Sequence, residues 1–356
     1  NTNKITPFIK IELQRRNLMN KPKVALISPG NPNSDLIREQ LKEIEHEFDE
    51  YICNSEGETI EAIKGVDVII NQGVPMPDSV IREIDTAQAI VSMGHGFNQI
   101  DHESATEQSV MVVNTAGFVT EEVSNHTIML ILACARKLTI LNKLTKQGKW
   151  GKDTRNALMP MPTVTDQTLG LVSLGNIGRA VARKSQALGM KVISYDPYLQ
   201  PWIAREYKVH MVSSLEELAQ ESDFVSMHTP LNNQTRKLVG SEFFKSMKST
   251  SYFINTCRGG TVDEKALIKA LQGNELAGAG LDVFEEEPTS PENPLLKMDN
   301  VIVTPHSAGS SNRSGAAGET QIGQETARIL KGSWPMSLVN PEVRSKLEIR
   351  LPATRA

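Results

Sequence analysis

Three residues that follow short apolar runs are the first features of this 356-residue chain with chemical content. Arg258 lies in Ile254-Asn255-Thr256-Cys257-Arg258-Gly259-Gly260. Glu287 closes Gly280-Leu281-Asp282-Val283-Phe284-Glu285-Glu286-Glu287-Pro288, and His306 stands in Val303-Thr304-Pro305-His306-Ser307-Ala308-Gly309. A guanidinium fork grips a carboxylate, an imidazole carries a proton near neutral pH, and a carboxylate beside it tunes that proton. Those types suit hydride transfer to a 2-oxo acid, with Glu285 and Glu286 standing as alternatives to Glu287. No base is placed to activate Cys257, which is read as a small neighbour of Arg258 and not as a nucleophile.

A hydride needs a carrier, and Thr168–Asp196 reads as its site. Leu169–Leu174 is an apolar run of strand length, and Gly175-Asn176-Ile177-Gly178 turns the chain into a helix over Arg179–Leu188. Gly189 suits a left-handed cap, Lys191–Tyr195 is the next strand, and Asp196 ends it. In such a layout glycines admit a pyrophosphate to a helix N-terminus and the acid binds the adenosine ribose. One letter departs from Gly-x-Gly-x-x-Gly, because Ser173 stands where the first glycine belongs. Serine still allows a tight turn there, so a slightly remodelled phosphate loop is expected.

The elements that must hold these residues alternate between strand and helix. Before the dinucleotide stretch, strands are expected at Lys23–Ser28, Val66–Ile70, Ala89–Met93 and Val110–Asn114, with helices at Ser34–His46, Asp78–Ile84 and Asp101–Gln108. After it, Asp223–His228, Ser251–Asn255, Ala277–Asp282 and Val301–Thr304 are strand-like and Glu319–Leu330 is a final helix. Such alternation predicts parallel sheets covered by helices on both faces. Between the two sets lie one long helix, Thr120–Leu144, with Thr120 as its cap, and an extended arm over Gln147–Gln167. Both the basic cluster before Val24 and the acids of Glu43–Glu61 read as solvated surface.

With 38 basic and 42 acidic residues the net charge is −4, so neither nucleic acid nor a membrane surface is an expected partner. Cys53, Cys134 and Cys257 are odd in number and lack metal-ligand spacing, which fits a reducing cytoplasmic setting and no metal. No signal peptide is read, and Thr127–Ala135 is too short an apolar run to span a bilayer.

These stretches resemble the D-isomer-specific 2-hydroxyacid dehydrogenase family from about Lys23 to the final helix. Gly94-His95-Gly96-Phe97-Asn98-Gln99-Ile100-Asp101, Val113-Asn114-Thr115-Ala116-Gly117 and His228-Thr229-Pro230-Leu231 carry the likeness further. The resemblance implies an α/β protein of two doubly wound parallel-sheet domains with a cleft between them. A Rossmann NAD-binding domain is expected over 120–309 and a flavodoxin-like substrate domain over 1–119 with 310–356. It implies NAD held by Ser173, Gly175, Asn176, Ile177, Gly178, Asp196, Pro197, His228, Thr229, Pro230, Thr256, Cys257, Arg258, Asp282 and His306, with Asp282 at the nicotinamide carboxamide. Arg258 would hold the substrate's carboxylate and carbonyl, and His306 would be the general acid/base. Glu287 would be its partner, since the family's acid precedes proline five places after the residue matching Asp282. The backbone of Gly94, His95 and Gly96 would receive the substrate carboxylate. Relatives commonly pair through elements matching 120–167, so a homodimer is expected.

The implied activity is interconversion of a D-2-hydroxy acid and a 2-oxo acid. Glutamate at 287 argues against a formate dehydrogenase, and the arginine-free loop Asn71-Gln72-Gly73-Val74-Pro75-Met76 argues against a phosphorylated substrate. Two alternatives remain. Tyr195-Asp196-Pro197-Tyr198-Leu199 and the Asp282–His306 segment also resemble the C-terminal-binding-protein corepressors, which sense NAD(H) with little turnover. An adenosylmethionine-binding protein is the weaker one, because the triad argues against it.

Overall fold

The computed structural model describes residues 21–347, apart from His95 and Ala157. The chain divides into two compact units, Val119–Ser311 and the residues on either side of it, up to Phe118 and from Asn312. The basic residues Lys4, Lys10, Arg15 and Arg16 lie outside the described residues.

In the first unit, β1 (Lys23–Ser28), β2 (Glu47–Ile52), β3 (Val68–Asn71), β4 (Ala89–Ser92) and β5 (Met111–Asn114) form one sheet in the order β2-β1-β3-β4-β5. Every pairing is parallel. That is the flavodoxin-like order of a doubly wound sheet. Alternate residues of a strand point to opposite faces, and here both faces are apolar. Ala25, Ile27, Ile69, Ile90 and Val112 enter one core, while Val24, Leu26, Val68, Ile70, Val91 and Val113 enter the other. Both faces must therefore be covered by helices.

The second unit holds seven parallel strands, β6 (Thr168–Val172), β7 (Lys191–Tyr195), β8 (His210–Met211), β9 (Phe224–Met227), β10 (Tyr252–Asn255), β11 (Gly278–Leu281) and β12 (Val301–Val303). Their order is β12-β11-β10-β9-β6-β7-β8, so the direction of winding reverses between β6 and β9. In open α/β sheets ligands bind beyond the carboxyl ends of strands at such a reversal. Two apolar faces again make two cores, one with Val225, Met227 and Phe253, the other with Leu171, Phe224 and Ile254.

Four expectations need correction. Glu47–Ile52 is not merely solvated surface but the edge strand β2, in register with all of β1, and Glu56–Ile63 is a helix capped by Ser55. The segment EFDEYI hides its strand because an edge strand can keep most side chains in water, and its charges also block further pairing. Thr120–Leu144 is two helices, Thr120–Ala135 and Leu138–Lys146, parted at Lys137, whose φ is +49°. The first packs Leu130, Ile131 and Cys134 into the sheet core, where Gly280 lets Leu130 come close, and the second buries no residue. The chain bends where its apolar support ends. Val119, not Thr120, holds the N-cap position and makes no side-chain cap. The Gln147–Gln167 arm contains the short helix Lys152–Asn156.

The final helix starts at Ser314, before Glu319, through a run of small residues without an apolar period. That smallness has a use. A Cβ on Gly323 would meet Gln40 Cβ at 2.7 Å and Ile37 O at 3.0 Å, so glycine admits the helix Asp35–Leu41. Among the described residues no helix is long and apolar enough to cross a membrane.

Candidate active site

The turn after β6 lies at the sheet's reversal. Ser173 adopts φ +79°, the left-handed conformation that glycine takes without strain, and so performs the turn that its identity disfavours. Its N–H donates to Tyr195 O (2.9 Å) and its hydroxyl to Asp196 Oδ2 (3.1 Å). Leu174 N–H donates to the same oxygen at 3.0 Å, while Tyr198 and Leu199 N–H reach Oδ1 at 3.0 and 3.2 Å. Asp196 thus organises both its own loop and the glycine turn.

The two glycines serve differently. A Cβ on Gly178 would sit 2.6 Å from Ser173 O, so the helix Asn176–Ala187 can pack against the turn only if residue 178 lacks one. A Cβ on Gly175 would meet nothing within 4 Å, which leaves open space beside the helix N-terminus. A pyrophosphate fits that opening: no side chain obstructs it and the first N–H groups of a twelve-residue helix face it. Arg179 braces the turn by donating from Nε to Leu174 O (2.9 Å).

Across the reversal, His228 follows β9 and its N–H donates to Val172 O at 3.0 Å. Burial pushes its imidazole down to about 3, so it is neutral at physiological pH, with Nε2 3.0 Å from Ser226 Oγ. Thr229 Oγ1 is buried with no hydrogen-bond partner, a polar atom aimed away from water beside the turn. Pro230 is exposed, as is Pro197 beside Asp196. The Tyr198 hydroxyl donates to Gln234 Oε1 and links the loops after β7 and β9.

Beyond β10, β11 and β12 the three candidate catalytic residues come from three loops. Asn255 holds the first: its Oδ1 accepts from Cys257 N–H (3.0 Å) and its Nδ2 donates to Arg258 O (3.1 Å). Arg258 Nη1 donates to Cys257 O at 2.6 Å, and the Thr256 and Thr127 hydroxyls lie 2.9 Å apart. Burial raises the Cys257 thiol, which keeps it protonated and inert. A Cβ on Gly259 would fall 1.9 Å from the carbonyl of Phe284, so glycine brings the arginine's loop against the glutamate's.

Of the three adjacent glutamates, Glu287 reaches His306. Its Oε2 lies 2.6 Å from His306 Nδ1 and its Oε1 accepts from Phe284 N–H at 2.9 Å. Glu285 instead pairs with Lys237 at 2.9 Å, and Glu286 is exposed. With Nδ1 given to Glu287, His306 has Nε2 left to exchange a proton, and 46% of its side chain meets solvent.

His306 has φ +50°, and its loop is tied to Asp282. His306 N–H donates to Asp282 O (2.8 Å), Ser307 N–H to Oδ1 (2.9 Å) and Ala308 N–H to Oδ2 (2.8 Å). Thr304 Oγ1 donates to Oδ1 at 2.6 Å, and His126 Nε2 lies 2.9 Å from Thr304 Oγ1. The Asp282 side chain is fully buried and both its oxygens are taken by the chain's own donors. Neither His126 nor Thr304 carried a chemical role in the sequence reading. Their sequence separation of 178 residues hides the contact.

In the first unit, the loop after β4 turns at Gly94 (φ +106°), whose N–H donates to Thr115 Oγ1 at 2.8 Å. Thr115 N–H returns to Gly94 O at 3.1 Å, clipping the ends of β4 and β5 together ahead of Gly96. His95 lies outside the described residues. Asn71 shapes the arginine-free loop after β3, accepting from Gly73 and Val74 N–H at 2.9 and 2.7 Å.

A seven-stranded parallel sheet with an open glycine turn at its reversal is the architecture of dinucleotide-dependent oxidoreductases. Residues 128–308 match the model of the D-isomer specific 2-hydroxyacid dehydrogenase, NAD binding domain. The chain is 36% identical over 285 residues to a glyoxylate reductase of Korarchaeum cryptofilum, covering 80% of this chain and 86% of that one. It is 36% identical over 284 residues to a D-3-phosphoglycerate dehydrogenase of Methanocaldococcus jannaschii, covering 80% of this chain but 53% of that protein. Among solved structures it is similar to an NADPH-dependent glyoxylate/hydroxypyruvate reductase of Sinorhizobium meliloti in complex with NADP and malonate. There the TM-score is 0.78 and the identity 27%, over 94% of this chain and all of that one. The chain belongs to the D-isomer-specific 2-hydroxyacid dehydrogenase family. It is an oxidoreductase of the CH–OH group of 2-hydroxy acids with a nicotinamide cofactor.

Proposed function

We propose that the protein is an NAD-dependent reductase of a small, unphosphorylated 2-oxo acid of the glyoxylate and hydroxypyruvate class, forming the D-2-hydroxy acid. The His306–Glu287 pair at 2.6 Å carries this reading, because it leaves a partly exposed Nε2 as the proton donor. When bound, the nicotinamide exchanges a hydride with the substrate carbon. Arg258 grips the carboxylate and polarises the carbonyl, the Gly94–Gly96 backbone takes the other side of the carboxylate, and His306 protonates the carbonyl oxygen. Glu287 holds His306 in the tautomer that acts. Within this reading 120–309 carries the cofactor, and 1–119 with 310–356 carries the substrate. The absence of arginine between Asn71 and Met76 supports an unphosphorylated substrate.

A panel of 2-oxo acids with NADH, followed by absorbance, tests this. Turnover with glyoxylate or hydroxypyruvate well above that with 3-phosphohydroxypyruvate is expected. Tight NADH binding without turnover on any of them would instead favour the corepressor-like alternative. The protein is further proposed to be a cytoplasmic homodimer joined through 120–167, with no nucleic-acid or membrane partner. Trp150, Leu138 and Met159 are exposed there to 81, 56 and 59%, an apolar surface suited to a second copy. A mass of 39.2 kDa by light scattering at micromolar concentration would refute the dimer.

A further inference from the structure

We propose that Ser173 is a specificity-determining residue for the dinucleotide: its hydroxyl pins the Asp196 carboxylate and so sharpens the preference for NAD(H) over NADP(H). The inference rests on the reading of Asp196 as the residue that meets the adenosine ribose.

The first observation is the backbone. Ser173 holds φ +79°, where an L side chain is strained and glycine is not. A side chain kept in such a conformation needs a compensating contact, and the contact is the 3.1 Å hydrogen bond from Oγ to Asp196 Oδ2. Glycine would make the same turn and could not make that bond.

The second observation is the clamp that the bond completes. Oδ2 accepts from the Ser173 hydroxyl and Leu174 N–H, and Oδ1 from Tyr198 and Leu199 N–H. A carboxylate held by one oxygen turns easily about its terminal torsion, whereas one held by both cannot swing aside. All four donors are neutral, so the full negative charge stays in place. A ribose with free hydroxyls can still donate to lone pairs that these contacts leave. A 2′-phosphate meets a fixed like charge that cannot retreat, and Pro197-Tyr198-Leu199 supplies no cation to offset it. A family framework that in another member binds NADP leaves this choice to the residues around the ribose.

The test needs no substrate. Dissociation constants of NADH and NADPH are measured by fluorescence titration for the parent, Ser173→Gly, Ser173→Ala and Asp196→Ala proteins, with thermal midpoints for each. Both serine variants lose the hydroxyl, but only alanine keeps a side chain at φ +79°. The NADH preference should fall on the order of 3- to 10-fold in both, while the glycine variant melts higher than the alanine variant. Asp196→Ala should lower the preference further. A preference that responds to Asp196→Ala but to neither serine variant overturns the role of Ser173 alone. A fall in Ser173→Gly without one in Ser173→Ala also overturns it, because backbone freedom and not the hydroxyl would then be the cause. A preference indifferent to Asp196→Ala overturns the ribose reading, and the proposal with it.

Discussion

Asp196 follows β7 and Asp282 follows β11 of the same parallel sheet, and each carboxylate accepts from N–H and hydroxyl groups of neighbouring loops. Asp282 is sealed: none of its surface meets solvent, and it gathers Thr304, Ser307 and Ala308 beneath the loop that presents His306. Asp196 is half-buried, with exposed Pro197 and Tyr198 beside it. Two residues of one type at like places in the fold thus divide the labour. The sealed one shapes a loop, and the half-open one keeps a charge where a ligand can meet it. The general lesson is that sealed groups should report through stability and half-open ones through binding and rate.

The largest expected effect is on rate. Replacing His306 by alanine removes the proton donor and should lower turnover on the order of 10²–10⁴-fold, the usual worth of a positioned acid. NADH affinity should change little, and titration against kcat separates the two. A comparable fall in NADH affinity would erase the contrast between the His306 loop and the Ser173 turn.

Next comes the sealed aspartate. Asp282→Asn keeps the shape but turns an NH2 group toward donors that need an acceptor. Unfolding in urea should show a loss of about 2–4 kcal/mol, from buried donors left unpaired. Asp196→Asn, in a half-open site, should lose less than about 1 kcal/mol. Equal losses would collapse the comparison.

Where strands carry apolar residues on both faces, as Val24–Ile27 and Val68–Ile70 do, the alternation of elements is legible in the sequence. So are Arg258, Glu287 and His306, whose chemistry follows from their types at the ends of apolar runs. Other features were hidden for physical reasons. The EFDEYI strand keeps its side chains in water, and the bend at Lys137 marks the edge of the core under a helix whose apolar pattern runs on. The start of the final helix lies among small residues whose role is close approach, which has no periodic signature. His126, Thr304 and Asp282 meet only through long-range folding, so nothing local announces that a loop hangs from them. Ser173 was visible as a departure, but its bond to Asp196 was not.

A second sealed group extends the contrast to pH. His228 is held down to about 3, against an ordinary histidine value near 6.5, because burial disfavours its charged form. The unfolded chain therefore takes up this proton first as pH falls. His228's contribution to stability is full above about pH 6.5 and declines toward pH 3, by up to about 1.4 kcal/mol per pH unit. Between pH 7.5 and pH 5 the parent should lose about 2 kcal/mol through this residue, a loss that His228→Asn should not show. Identical pH slopes for the two proteins in urea unfolding would mean that His228 reaches water in the native state.

The smallest effect belongs to the half-open pair. Glu287 Oε2 lies 2.6 Å from His306 Nδ1, with 36% of the glutamate and 46% of the histidine side chain exposed. An ionised carboxylate at that distance favours imidazolium, the form that gives a proton to the carbonyl oxygen. Glu287→Gln removes the charge and keeps the shape, so reduction should lose half its rate at a lower pH. Solvent on both partners screens the attraction, which limits the displacement to about half a pH unit to one unit. At low pH, where the acid form persists in both proteins, their rates should lie closer together. Reoxidation needs neutral imidazole and should suffer less over the same range. The pH–rate profile of 2-oxo acid reduction reads all of this, and urea unfolding should detect little difference between the two proteins at pH 7.5. An unmoved basic limb would deny Glu287 its part in tuning the proton. A large stability loss would place this pair with Asp282 among the sealed groups, against its exposure.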